Sequence, residues 1–227
     1  MSQGAAMGTD RCRTTAGKRF LRVLELPKDL VSMEAPPTTP RLAERYRRLL
    51  DAAGEFARLE YPEVEVSAVA TRAGVSLSTA YRYFPSSAHL LLALHRRQLL
   101  ELRERVESRA RNARGRGVEE RSRQLAGAAI ELLQMRLSQP AVNSCLDELV
   151  VPTDHELARM IGEVDELSWS VLGRLGGGAA RGRSIVLMVS GLVSAIRTGR
   201  LLPYEAEQQL KEACALLEPR PSAARLA

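Results

Sequence analysis

Cysteine, histidine, lysine and aromatic residues are all scarce in this chain, and each scarcity removes a class of protein. The three cysteines, at 12, 145 and 214, include no Cys-x-x-Cys pair. An odd, widely spaced set argues against a disulfide scaffold and a zinc site, and it suits a reducing cytoplasm. The three histidines are no better placed for a metal. His89 and His95, six residues apart, fall on different faces of a helix, and His155 stands alone. No Gly-x-Ser-x-Gly elbow, Ser-x-x-Lys pair or phosphate-binding P-loop occurs. Gly173, Gly176, Gly177, Gly178 and Gly182 follow no strand and precede no Lys-Ser/Thr, so they read as a flexible helix–helix connection. Asp147/Glu148 and Asp165/Glu166 are neighbours that diverge around a helix, so neither is a poised acid/base couple. These absences point away from catalysis, metal and cofactor, with an all-α enzyme kept as the alternative.

A leader and a membrane span are also missing from the pattern. The opening residues carry Asp10, Arg11 and Arg13 with no apolar core of the secretory kind. The longest apolar stretch, Ile185 to Ile196, is interrupted by Ser190, Gly191 and Ser194. It falls short of the roughly 20 residues a span requires. The expectation is a soluble cytoplasmic protein with no membrane partner. Lysine occurs only at 18, 28 and 211, so nearly all the positive charge is arginine, and it is unevenly placed. Residues 1–117 carry 21 Lys/Arg against 13 Asp/Glu, whereas residues 118–227 carry 12 against 14. A basic front joined to a mildly acidic, apolar back suggests a polyanion-binding end and a packing end.

Periodicity is present almost everywhere after residue 39. Residues 1–39 lack it, apart from a short helical run at Phe20–Leu26, and lead through Pro36-Pro37 to Pro40. They read as a flexible basic arm, or as an extension ahead of a true start at Met33. Thr39 can cap a helix whose first turn holds Pro40, and Leu42, Tyr46, Leu49, Leu50, Ala53 and Phe56 then recur at helical spacing until Tyr61-Pro62. Further helices are expected from His89 to about Arg111, over Val118–Leu137, from Pro140 to about Val150, and over Pro152–Leu175, Ser184–Arg197 and Pro203–Leu217. No convincing strand is found. The fold class is all-α with about nine helices: arm 1–39, a DNA-binding domain 40–88, a ligand-binding and dimerisation domain 89–218, and a tail 219–227.

Two short helices between these long ones carry the most information. Val66, Val69 and Ala70 form one buried face, Ala73 is small where two helices would cross, and Gly74 can take a left-handed backbone. Val75 plugs the core under the turn, and Ser76 can cap a second helix whose Ala80 and Phe84 face inward. Leu77, Ser78, Tyr81 and Arg82 are left facing out. A Gly-containing turn between two short helices is the helix-turn-helix layout, whose second helix enters the major groove. Thr79 and Tyr83 hydroxyls suit phosphate oxygens, as do the free N–H groups leading the second helix. Arg82 suits guanine N7 and O6, Tyr81 a phosphate or a thymine methyl, and Ser76, Leu77 and Ser78 stand where base edges would be.

With these residues, the stretch Val69-Ala70-Thr71-Arg72-Ala73-Gly74-Val75-Ser76 followed by Thr79, Tyr81, Tyr83, Phe84 and Ser86 closely resembles the TetR family of bacterial repressors, over Arg41 to Leu91. Three positions depart from the family pattern: Glu65 replaces a capping Thr or Ser, Ser78 a Gly, and Ser87 a Lys. Loss of that Lys shifts phosphate binding toward Arg72, Arg82 and the arm. With Thr71, these residues make up the expected DNA-binding set. The resemblance implies a double-stranded DNA partner, a homodimer on a roughly palindromic operator, and release by a small-molecule effector. Architectural DNA binding without an effector is the other alternative.

Beyond residue 91 the resemblance supplies architecture alone. It implies a helical effector pocket, for which Leu133, Met135, Asn143, Leu146, Met160, Val164, Leu167, Trp169 and Leu172 are the candidates. A wall of Leu, Met and Val suits an aliphatic or lipid-like molecule better than a planar aromatic one. The apolar last helices resemble those of actinobacterial sterol- and fatty-acid-responsive members, whose effectors include acyl-CoA thioesters. The resemblance further implies that the last two helices pair with their twofold mates. Ser184–Ile196 is apolar on nearly every face and must be covered on nearly every face. Leu187, Gly191, Ser194 and Ala195, with Leu210, Ala213 and Leu217 from the final helix, are the expected interface.

Overall fold

The computed structural model describes residues 39–59, 64–112, 117–148 and 154–217. The expected arm, the helical run at Phe20–Leu26 and the tail at 219–227 lie outside those residues. Among them are nine helices and no strand: α1 (Pro40–Ala57), α2 (Val66–Ala73), α3 (Leu77–Tyr83), α4 (Ser87–Asn112), α5 (Val118–Leu137), α6 (Pro140–Glu148), α7 (His155–Gly176), α8 (Ala179–Arg197) and α9 (Pro203–Leu216).

Local chemistry explains several ends. Thr39 is extended and its Oγ1 accepts from the Leu42 N–H at 3.4 Å, with Pro40 in the first turn where a missing N–H is harmless. Asp154 caps α7 by accepting from the Glu156 N–H at 2.8 Å. At the other end of α7, Gly177 is left-handed with φ 78°.

The side chains pack into two cores. The first gathers α1, α2, α3, the start of α4 and Val142 of α6. The second gathers the rest of α4 with α5, α7, α8 and α9. Helix α4 passes through both: Leu90, Leu91 and Leu94 belong to the first, Leu99, Leu102 and Val106 to the second. At 26 residues it is about 39 Å long at 1.5 Å per residue, long enough to serve both.

The glycine run corrects the sequence reading. It was expected to be a flexible connection, but Gly173 and Gly176 lie inside α7 and Gly182 inside α8, and all three are buried. A Cβ on Gly182 would stand 2.2 Å from the Trp169 carbonyl oxygen and 2.6 Å from the Gly173 nitrogen. The glycines therefore let two backbones touch, and the turn itself needs only Gly177 and Gly178. Helix α8 consequently begins five residues earlier than periodicity suggested and reaches 19 residues. By length and composition alone it now qualifies to cross a membrane. One face of it is buried in the second core through Ile185, Val189 and Val193, while about a third of its apolar length is buried in all.

Candidate nucleic-acid interface

Helix α2 buries Val66, Val69, Ala70 and Ala73, one face at 3.6-residue spacing. Its N-terminus has no side-chain cap. Glu65 stands at the capping position, but its carboxylate accepts from the Ser67 hydroxyl at 3.0 Å. The C-terminus closes on Gly74 with φ 61°, and the following Val75 N–H donates back to the Ala70 carbonyl at 3.0 Å. That 6→1 bond in front of a left-handed glycine is the Schellman arrangement, and it sets the angle at which α3 leaves. Val75, Ala80 and Phe84 are buried beneath the turn.

What α3 turns outward is a mixed surface. Ser76, Ser78 and Arg82 are exposed, Leu77 is 49 % exposed, and Thr79 and Tyr81 are half-buried. Ser76 occupies the capping position without bonding a backbone N–H. Its hydroxyl instead meets Thr79 Oγ1 at 2.7 Å and Ser78 Oγ at 3.4 Å, giving a cluster of three hydroxyls at the leading end. An exposed leucine beside hydroxyls and an arginine has no folding rationale. It does match the mixture of thymine methyl, phosphate and guanine contacts that a groove offers.

Two expected DNA-contacting residues are placed differently. Tyr83 is 8 % exposed, its hydroxyl donates to the Leu42 carbonyl at 3.3 Å, and its ring meets Tyr46 edge-on at 5.5 Å. With Phe84 these rings fasten α3 to α1, and the Tyr83 hydroxyl is committed to a backbone carbonyl and not presented to solvent. Arg72 is exposed but paired with Glu55 of α1 at 2.7 Å. Thr71 is exposed and its hydroxyl donates to the Ser67 carbonyl at 3.0 Å. Glu55 and the Leu42 carbonyl escaped the sequence reading, because partners 17 and 41 residues away leave no short-range signal.

The start of α4 connects this unit to the helices behind it. His89 is buried, with Nδ1 2.8 Å from Ser86 Oγ and Nε2 3.7 Å from Glu156 on α7. Burial lowers its pKa in spite of the nearby Glu156 and Asp154.

The expected pocket residues divide between the two cores. Leu133, Val164 and Leu172 lie within the second core, with Met135, Leu167 and Trp169 packed against it. Leu146 and Met160 pack against the first. Asn143 is buried between them, accepting from Arg136 Nε at 2.5 Å and donating to the Arg136 carbonyl at 2.6 Å. A cleft of about 190 Å³ lies elsewhere, between α4, α5 and α7 beside Val106, Arg109, Glu120, Gln124 and Leu175. On α8 the expected interface residues Leu187, Gly191 and Ser194 are exposed and Ala195 is half-buried. Leu187 alone is 61 % exposed. On α9 the expectation for Leu210 is corrected: it is fully buried in the chain's own core, while Ala213 and Leu217 are half-buried.

A left-handed glycine turn between two short helices, followed by a second core of long helices, is a helix-turn-helix unit joined to a helical body. Residues 49–94 match the family model for bacterial regulatory proteins of the tetR family. The match covers the helix-turn-helix and the start of α4, about a fifth of the chain. The chain is 33 % identical over 125 residues to the HTH-type transcriptional repressor KstR of Rhodococcus jostii (strain RHA1), a match covering 55 % of this chain and 56 % of that one. It is 49 % identical over 51 residues to KstR of Mycobacterium tuberculosis (strain ATCC 25618 / H37Rv), covering 22 % and 23 %. The chain thus spans about half the length of the Rhodococcus relative and less of the other. Among solved structures, a TetR transcriptional regulator from Rhodococcus sp. RHA1 superposes with a TM-score of 0.60 at 25 % identity, covering 79 % of this chain and 97 % of that one. The regulator FadR from Bacillus subtilis, solved in complex with stearoyl-CoA, gives 0.54 at 18 % identity, covering 76 % and 97 %. The latter likeness is one of fold.

Proposed function

We propose that this protein is a dimeric transcriptional repressor that reads a palindromic DNA site through α3 and is released by a small, apolar effector held among its C-terminal helices. The observation that carries the reading is the outward face of α3. Leu77, Ser78, Tyr81 and Arg82 project from a helix whose other side is fixed to α1 by Tyr83, Phe84 and Tyr46. Rigid placement of a few side chains is what base readout requires. The KstR relatives are repressors by name, which supports repression over activation. Residues 40–88 are the reading domain and 89–218 the effector and dimerisation domain, with the change of core along α4 supporting the division.

The dimer reading rests on α8. Ser184, Leu187, Gly191 and Ser194 form an exposed strip at i, i+3, i+7 and i+10, small residues flanking one leucine. Such a strip admits a close-packed partner helix, and a second copy supplies one by twofold symmetry. A DNA partner supports a cytoplasmic location.

Selection of bound sites from a random double-stranded pool, at near-physiological salt, tests the proposal. An inverted-repeat consensus is expected, with its two half-sites about one helical turn apart. Sedimentation should give a dimer that Gly191→Leu converts to monomer. A consensus without dyad symmetry, or no consensus even after bound small molecules are extracted from the protein, overturns the reading.

A further inference from the structure

At the seam between the two cores the apolar packing is interrupted by a layer of buried polar groups. Along α4 the first core ends at Leu94 and the second begins at Leu99, and His95, 2 % exposed, lies between. Along α5 and α6 the second core ends at Leu133 and the first resumes at Val142. Between those two residues stand Arg136 and Gln139, 8 % and 4 % exposed, with Asn143 just beyond at 1 %. Helices α4, α5 and α6 and the turn between the last two therefore bring four buried polar side chains to the seam between the cores.

Arg136 is the unusual member. Among the described residues no carboxylate lies within ion-pair distance of it. Its Nε is used by Asn143 at 2.5 Å, and among the described residues its two terminal nitrogens have no partner. The acids that feel its charge are committed or withdrawn. Asp147 is bound to Arg197 at 2.7 Å, and Asp165, on α7, is half-buried with its pKa raised by that burial. A buried guanidinium is normally paired with an acid, because leaving water is costly for a charge, and here one hydrogen bond to Asn143 is the return. Nor are the terminal nitrogens sealed in: the partnerless closed-off atom in this layer is Gln139 Oε1. His95 feels the same cation, and burial holds its pKa at about 3, so it is a neutral ring with one N–H to donate.

Resting on the effector reading above, we infer that Arg136 is the anchor of the effector, and that the effector is an aliphatic molecule bearing a carboxylate. With Nε occupied, the two terminal nitrogens present the end-on fork that matches the two oxygens of a carboxylate. The surroundings fit the remainder. Met135, Leu146, Met160 and Leu167 are partly buried hydrophobics packed against the two cores that meet at this seam. Gln139 Oε1 and the neutral His95 supply one acceptor and one donor for a polar group close to the carboxylate. The position also assigns a mechanism: a ligand seated where α4 passes from one core to the other acts on the helix that carries the reading domain.

The test uses the full chain and a panel of straight-chain monocarboxylates from butyrate to stearate, each beside its methyl ester. Binding is read by the shift in melting temperature and by Trp169 fluorescence. At least one acid is expected to raise the melting temperature saturably and to release the selected operator, while its ester does neither. Arg136→Met should weaken that acid's binding about 10–100-fold, and Arg136→Lys should weaken it less, since a charge remains but the fork is lost. Arg136→Met removes a buried charge but leaves Asn143 Oδ1 without its donor, so the unliganded variant's melting temperature is recorded first and binding is compared at a temperature where both proteins are folded. A panel in which no acid binds, in which esters bind as well as acids, or in which Arg136→Met binds unchanged overturns the anchor. If an ester releases the operator, the effector reading stands and only the anchor falls. If no operator is ever selected, the functional reading itself has failed.

Discussion

Replacing Gly182 by alanine tests the α7–α8 crossing with the smallest side chain that has a Cβ. In an open helix the change is favourable, because alanine exceeds glycine in helix propensity by about 1 kcal/mol. Here the new methyl would lie 2.2 Å from the Trp169 carbonyl oxygen and 2.6 Å from the Gly173 nitrogen. Both are backbone atoms of α7, so no side chain can swing aside, and the helices must part by about 1 Å to restore ordinary contact. Overpacking of this kind costs typically about 1–3 kcal/mol, and backbone-on-backbone contact belongs at the top of that range. Set against the propensity gain, the net loss is about 2 kcal/mol, which for a chain of this size lowers the melting temperature by about 4–8 °C. Gly162 in the same α7 is the control. It is exposed with nothing within 4 Å, so Gly162→Ala should stabilise by about 0.5–1 kcal/mol. Thermal and urea unfolding of both variants measure the contrast. A Gly182→Ala protein as stable as wild type would refute the close crossing.

Tyr83→Phe removes the hydroxyl bond to the Leu42 carbonyl and should cost about 1 kcal/mol of stability, measured in urea, with operator affinity of the folded protein retained. Tyr81→Ala should lower operator affinity at least tenfold in protein that remains folded, with some loss of stability because the ring also packs against the first core. Asn143→Leu strips Arg136 Nε of its one acceptor and should destabilise by about 2–3 kcal/mol; adding Arg136→Met should recover most of that loss, and additive losses would count against the pairing. His95 titrates near 3 when folded and near its ordinary 6.5 when unfolded, so the unfolded chain takes up the proton first. Stability should therefore fall as pH drops below about 6.5, by up to about 1.4 kcal/mol per pH unit, and His95→Leu should flatten that slope between pH 6 and 4.

The helices were largely legible because their signals are local. Thr39 before Pro40, Gly74 after Ala73 and the spacing of Val66, Val69 and Ala70 each act within a turn or two, and the first helix, the turn and the reading helix stand where those residues put them. The outward set Leu77, Ser78 and Arg82 could be read the same way, since a helix buries one face and Ala80 with Phe84 names it. What remained hidden depends on distant contact. A glycine that lets a backbone approach looks like a glycine that loosens a loop, so Gly173 and Gly182 were assigned to a connection they do not form. Tyr83 and Tyr81 carry the same hydroxyl two residues apart, and only the position of α1 decides that one is committed to Leu42. Leu210 has the same apolar spacing whether it faces its own core or a twofold mate. Arg136 gave no signal at all, for an arginine in the last turn of a helix is ordinarily a solvated complement to the helix dipole.

The central claim is that α3 reads DNA sequence, and the most direct measurement is a ratio of affinities. Binding of the full chain to its selected duplex and to a scrambled duplex of equal length is compared at 150 mM salt, for wild type and for the Leu77→Ala, Tyr81→Ala, Arg82→Ala triple variant. The account predicts a preference of at least about a thousandfold for the wild type. In the variant, assayed at a temperature where it is folded, it should collapse to within about tenfold of unity while sedimentation stays unchanged. A wild-type ratio near one, or a preference that survives the triple substitution, would contradict it.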